Sequence, residues 1–186
     1  MLLKSLSVLA LAGLALAAFS FERSSASTSA KPDVARGEYL VKFGSCNDCH
    51  TPWAMGPNGP EPDFSRMLSG HPSDVAAPPA PQLTDGWMAA ASNTMTAWSG
   101  PWGVSFTANL TPDKETGLGA WTAEDFIATI RSGRHLGRGR PILPPMPVKF
   151  VATLTDEDLR NVFAYLQSIP AVSNKVPEPL PPSAAR

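Results

Sequence analysis

Cys46-Asn47-Asp48-Cys49-His50 is the stretch on which the reading of this chain turns. Cys-x-x-Cys-His is the spacing at which two thiols add across the vinyl groups of a porphyrin while the next histidine reaches one face of the iron. It therefore reads as covalent attachment of one c-type haem. A redox-active dithiol and half of a zinc site are the competing readings of Cys-x-x-Cys. Zinc would need further ligands at matching spacing, and these are the only 2 cysteines in 186 residues. A dithiol is expected in a βαβ setting, which the flanking sequence does not offer. The histidine directly after the second cysteine decides for haem.

Upstream of the motif, residues 1–30 read as a signal peptide. Lys4 supplies a short positive region, Leu6 to Phe19 is an apolar run broken by Gly13, and small residues follow through Ala26 and Ala30. The run falls short of the about 20 apolar residues that span a bilayer, and its small-residue end suits cleavage after Ala26 or Ala30. An uncleaved N-terminal anchor is the alternative. Either way the body is expected to be exported, to the periplasm of a bacterium, with membrane contact only if residues 1–30 are retained. The rest suits one domain, 31–170, and a Pro-rich tail, 171–186, too polar and broken to anchor in a membrane. A formal net charge of −1 leaves no nucleic-acid footprint.

Proline is the unusual component, at 20 of 186 residues against about 5% in ordinary proteins. With 14 glycines it predicts long ordered loops, for which an apolar, covalently held cofactor can serve as the core. Three helices stand out. The first follows Asp33 as N-cap and runs through Tyr39-Leu40-Val41 to Phe43-Gly44. Gly37 inside it costs about 1 kcal/mol against alanine, which points to the close approach of another helix; the alternative is a tolerated surface glycine.

The other two helices share a start signal. Trp121-Thr122-Ala123-Glu124-Asp125-Phe126 and Leu154-Thr155-Asp156-Glu157-Asp158-Leu159 each put threonine at the N-cap, an acidic residue three positions on, and apolar residues on either side. That is a capping box with Asp in place of Glu or Gln, plus a hydrophobic staple. The second helix runs through Phe126, Ile127 and Ile130 to Gly133. The third presents Leu159, Val162, Phe163 and Leu166 at helical spacing and ends by Pro170. No alternation marks a sheet. Residues 51–120 form a long Pro-, Gly- and Trp-rich segment, expected to be functional. Within it, 84–98 is expected to hold a short helix, and Trp53, Trp87, Trp98 and Trp102 are expected to cover the haem or pack the loop.

Met146 is the candidate for the second axial position. It stands in Leu143-Pro144-Pro145-Met146-Pro147, where prolines on both sides restrict the backbone and hold a thioether in one direction. Met55, Met67, Met88 and Met95 are weaker candidates, and His71 and His135 read as loop histidines.

With these residues in view, Asp33-x-x-Arg36-Gly37-x-Tyr39, the Cys46–His50 motif, Pro144-Pro145-Met146-Pro147 and a final amphipathic helix together resemble class I c-type cytochromes. More narrowly, Asn109-Leu110-Thr111-Pro112-Asp113, Thr116-Gly117-Leu118-Gly119-Ala120-Trp121 and Leu154-Thr155-Asp156-Glu157-Asp158-Leu159 resemble the haem modules of bacterial dehydrogenase cytochrome c subunits. Such subunits often carry several haem motifs, and this chain has one. The resemblance implies an all-α cytochrome c fold of three to five helices, its long loops wrapped around one covalent haem c. It also implies that the first helix crosses the last at Gly37, against Phe163 or Tyr165, and that a backbone carbonyl accepts from the axial histidine. Pro52, Pro57, Pro60 and Pro62 are the candidates for that carbonyl; Trp98, Trp102, Asn109, Trp121 and Arg138 are candidate propionate donors.

The site residues expected on these grounds are Cys46, Cys49, His50 and Met146 for the haem, with His50 and Met146 on the iron. His/Met ligation closes both axial positions and raises the potential. The expected function is single-electron transfer between redox partner proteins, from a dehydrogenase to an oxidase or another cytochrome, and not catalysis. A haem with an accessible iron, acting as a small-ligand sensor or peroxidase, is the alternative. Arg131, Arg134, His135, Arg138 and Arg140 form a basic run that suits either docking to an acidic partner or a solvated loop.

Overall fold

The structure, a computed structural model, describes residues 31–76 and 79–182. The expected signal peptide, 1–30, lies outside these residues. In chain order the elements are helices α1 (Val34–Phe43) and α2 (Cys46–His50), strands β1 (Trp53–Gly56), β2 (Gly59–Pro62), β3 (Ala90–Ala91), β4 (Ala97–Gly100) and β5 (Gly103–Phe106), and helices α3 (Ala123–Ser132), α4 (Val148–Val151) and α5 (Asp156–Ser168).

The three expected helices form with the expected caps. Asp33 accepts from Arg36 N at 3.0 Å at the start of α1. At α3 the capping box closes reciprocally between Thr122 and Asp125, and Gly133 ends the helix with φ +66. At α5 only half of the box forms: Thr155 Oγ1 accepts from Asp158 N at 3.0 Å, while the Asp158 carboxylate accepts from Arg36 Nε at 2.9 Å. The missing half has become a tie between the first helix and the last. Where these two cross, a Cβ on Gly37 would run into the Asn161 carbonyl and lie 2.9 Å from Tyr165 Cβ. Gly37 is therefore a crossing glycine, and Asn161 is as much its partner as Tyr165. Asn161 Oδ1 also accepts from Asp33 N at 2.8 Å, so the crossing point holds the start of α1.

The core is built where α1, α3 and α5 meet, from Val41, Phe126, Ile130, Leu159, Val162, Phe163 and Leu166, with Leu68 from the long segment. Phe126 and Phe163 meet with ring centroids 5.6 Å apart.

The expectation of an all-α fold is corrected. Among the described residues there are five helices but also two antiparallel sheets, β1-β2 and β3-β4-β5, so the composition is mixed α and β. The region expected to be a helix, 84–98, instead supplies β3 and leads into β4. The strands run two to four residues and turn back at Gly56-Gly59 and Gly100-Gly103, where Gly59 has φ +119 and Gly103 φ +93. Strands of two to four residues hold at most two periods of alternation, and β1 and β2 do not alternate in burial, so their pairing leaves no pattern to read.

Residues 171–182 run back along the body outside any helix or strand. Leu180 pairs with Val104 on the edge of β5 through two 2.9 Å backbone hydrogen bonds, and Asn174 is buried. No helix among the described residues is long and apolar enough to cross a membrane.

Candidate functional site

The Cys-x-x-Cys-His stretch folds as α2, entered through Gly44 and through Ser45 at φ 54. One turn of helix brings Cys46 and Cys49 to the same side, and both thiols are free. Burial pushes the Cys46 thiol up to about 11, and raises Cys49 as well. A reactive dithiol needs the opposite shift. Among the described residues no group of three or more His, Cys, Asp and Glu side chains could hold a metal ion. The far end of α2 is pinned by Thr51, whose hydroxyl donates to Asn47 Oδ1 and accepts from Leu68 N, each at 2.9 Å.

His50 is buried at the end of this turn. Its Nδ1 lies 2.8 Å from the carbonyl oxygen of Ala108, an acceptor only, so Nδ1 carries the proton and the lone pair stays on Nε2. Burial lowers its pKa and keeps the ring neutral. A neutral imidazole with one nitrogen tied to a carbonyl and the other available is the form in which histidine ligates a metal. With two unlinked thiols on the same turn, this donor set fits a covalent haem.

The carbonyl itself is tightly set. Leu110 N donates to Leu68 O at 2.8 Å and His71 N to Thr107 O at 3.0 Å, so residues 107–110 are laced to 68–71. Between them Gly70, at φ +77, donates to His50 O at 2.8 Å. A Cβ there would lie 2.6 Å from the Ala108 carbonyl carbon and 2.7 Å from its oxygen. The acceptor is thus Ala108, and not one of the prolines that follow the motif.

Met146 lies on a different element, the loop ahead of α4, and is half-buried. Ser105 on β5 donates to the Pro144 carbonyl at 2.5 Å, which ties this proline-restricted loop to the second sheet. The structure therefore assembles Cys46, Cys49 and His50 on one turn and carries Met146 separately.

Of the candidate propionate donors, four donate within the fold, Arg138 to the Leu136 carbonyl. Trp98 Nε1 donates to Met95 O at 3.1 Å, Trp102 Nε1 to Ser105 Oγ at 3.3 Å, and Asn109 Nδ2 to Val172 O at 2.8 Å. The basic run also divides. Arg131 Nη2 meets Asp156 at 2.6 Å and the Leu154 carbonyl at 2.8 Å, so it joins α3 to α5, and Arg140 pairs with Glu178 at 3.4 Å. Among the described residues, Arg134 and Arg138 donate to backbone carbonyls, of Gly139 at 2.8 Å and Leu136 at 3.4 Å. His135 meets Trp121 edge-on at 5.1 Å. His71 is fully buried between Thr96 Oγ1 and Val75 O.

No protein-family model matches the chain. It is 30% identical to the fructose dehydrogenase cytochrome subunit of Gluconobacter japonicus over 81% of this chain and 25% of that protein. It is 29% identical to the gluconate 2-dehydrogenase cytochrome c subunit of Pantoea cypripedii over 71% of this chain and 22% of that protein. With the cytochrome c subunit of the alcohol dehydrogenase (quinone) of Gluconobacter oxydans it shares 28% identity over 90% of its length and 28% of the relative's. The chain is similar to the haem modules of dehydrogenase cytochrome c subunits. It spans about a quarter of the length of these relatives.

Several residues that set the candidate site carry no motif of their own. Ala108 contributes only a carbonyl, which any residue has. Ser105 and Asn174 act through partners far along the chain. Gly70 offered the one available signal, a glycine beside a histidine in a segment already expected to be functional.

Proposed function

We propose that this chain is an exported electron-transfer cytochrome that carries single electrons through one covalent haem c. Cys46 and Cys49 would hold the haem by thioethers, His50 Nε2 would take one axial position and Met146 the other. The haem supplies a one-electron iron couple. This chain's own residues do the rest: Ala108 orients His50, the core of α1, α3 and α5 fixes α2, and the Ser105-tied prolines hold the methionine loop. The observation that carries the reading is the neutral, buried His50 at the end of the turn that bears both thiols, its Nδ1–H given to a backbone carbonyl.

The names of the relatives point to a dehydrogenase as electron donor, and an oxidase or a further cytochrome is the matching acceptor. Arg134 and Arg138 suit docking of an acidic partner by charge. The reading treats residues 1–30 as a signal peptide, 31–170 as the cytochrome domain and 171–186 as its tail.

The test is spectroscopy of the exported protein. Haem that survives acid–acetone extraction, with a low-spin spectrum and the weak far-red band of methionine-ligated ferric iron, is the expected result. A high-spin ferric spectrum with rapid carbon monoxide uptake on reduction would replace electron transfer with ligand binding.

A further inference from the structure

The segment that follows α5 is tied to the site by two buried asparagines, its own Asn174 and Asn109 beside Ala108. Asn174 donates from Nδ2 to Ser69 O at 2.7 Å and to His71 O at 2.9 Å, and its Oδ1 accepts from Ser73 N at 2.8 Å. All three polar arms of its side chain thus close on the stretch 69–73. The two carbonyls it holds flank Gly70, and Gly70 is the residue packed directly on the Ala108 carbonyl. Asn109, the residue after Ala108, completes the tie from the other side: its Nδ2 donates to Val172 O at 2.8 Å and, more weakly, to Asn174 O at 3.4 Å. Both asparagines are 3% exposed. A buried amide with every arm satisfied is rigid, and removing it leaves two carbonyls and an N–H without partners.

We propose that Asn174 is a positioning residue for the axial histidine: it fixes Gly70 and, through Gly70, the Ala108 carbonyl that receives the His50 Nδ1 proton. The inference rests on His50 being an iron ligand. Nothing joins Asn174 to His50 directly, so its effect passes through the backbone at 69–71 and 107–109. A firm hydrogen bond at Nδ1 makes the imidazole a stronger donor to iron and favours the ferric state. Loosening the carbonyl should weaken that donation and raise the potential.

The test uses the haem-loaded protein. In Asn174→Ala, exchange of the His50 ring Nδ1 proton with solvent, read by NMR, should be at least ten-fold faster than in the unaltered protein, and the potential should rise. Thr122→Ala, which removes the N-cap of α3, controls for loss of stability and should leave both unchanged. Equal ring-proton exchange and potential in Asn174→Ala and the unaltered protein would overturn the proposal.

If Asn174→Ala does not fold, the unaltered protein supplies the second measurement. The Asn174 side-chain amide protons, the Gly70 amide and the His50 ring proton should then exchange through one shared opening. A His50 ring proton that opens independently of the Asn174 amide would overturn it. Protein without a low-spin haem c spectrum would overturn the haem reading itself, an outcome distinct from intact haem with unlinked exchange.

Discussion

The Nδ1–H of His50 donates to the carbonyl oxygen of Ala108 at 2.8 Å, across 58 positions of sequence. Through this bond a loop that bears no functional side chain becomes part of the site, and Gly70 becomes its spacer. Gly70→Ala should therefore do two things. It forces a side chain onto φ +77, a strain of about 1–3 kcal/mol, and it pushes a Cβ against the Ala108 carbonyl. A lower denaturant midpoint and a shifted haem potential are expected together. Gly59→Ala is the comparison, since φ there is +119 and nothing lies within 4 Å of the added atom: it should lower the midpoint and leave the potential alone. A Gly70→Ala protein with the spectrum and potential of the parent would show that the carbonyl is not held by this contact.

On the proposed ligation, Met146 is the residue whose loss should change the chemistry. Met146→Ala is expected to open the iron, replace the far-red band by a high-spin ferric spectrum, and lower the potential, because thioether ligation favours reduced iron. The loop should stay in place, since Ser105 grips Pro144 and not the methionine. Unchanged spectrum and potential in this variant would remove Met146 from the iron and return His71, His135 or another methionine to consideration.

The parts of the molecule visible in the sequence are those whose cause is local. Asp33, Thr122 and Thr155 cap the helices they precede because a cap acts within three residues. The Cys46–His50 turn is legible for the same reason. Gly37 could be read as a crossing, and of the partners the resemblance offered, Phe163 or Tyr165, Tyr165 is there; Asn161, 124 positions on, was missed. The strands were missed because their stability is a matter of pairing: the two-residue β3 is held by β4, and β4 by β5. The Ala108 carbonyl was missed because an acceptor of that kind has no residue type. Asn174 lies in a Pro-rich stretch whose composition speaks for an extended chain and says nothing of a buried amide.

His71 offers a test by pH. Val75 O can only accept, so Nε2 carries the proton at 3.2 Å and Nδ1 accepts from Thr96 Oγ1 at 2.9 Å. That direction propagates: Thr94 Oγ1 then donates to Thr96 at 2.7 Å and Ser92 to Thr94 at 3.0 Å. Burial is the main cause holding the His71 pKa below its ordinary value, with the Arg66 charge adding to it. The unfolded chain therefore takes up the proton first as pH falls. The stability linked to His71 is complete above about pH 6.5 and is lost as pH drops from there to the folded value. Denaturant midpoints across this window should fall for the parent and stay flatter for His71→Gln. Parallel curves for the two proteins would count against a buried neutral ring.

The two helix caps make a matched pair for the last prediction. Thr122 and Asp125 close a reciprocal box, with Asp125 Oδ2 accepting from Thr122 N at 3.1 Å and from its hydroxyl at 2.9 Å. These bonds hold the Asp125 carboxyl below the usual aspartate range. Thr122→Ala should destabilise the protein by about 0.5–2 kcal/mol near neutral pH. The contribution linked to Asp125 is complete above the ordinary aspartate pKa of about 3.9 and disappears as pH falls through the lower folded value, so the gap between parent and variant should narrow in acid. Thr155→Ala removes a cap of the same type, but the carboxylate three residues on is engaged by Arg36 at 2.9 Å. Its loss should cost a similar amount without that narrowing. Denaturant midpoints for the three proteins at about pH 6 and about pH 2.5 decide the matter; a Thr122→Ala deficit that is the same at both would mean that the box contributes through the threonine alone.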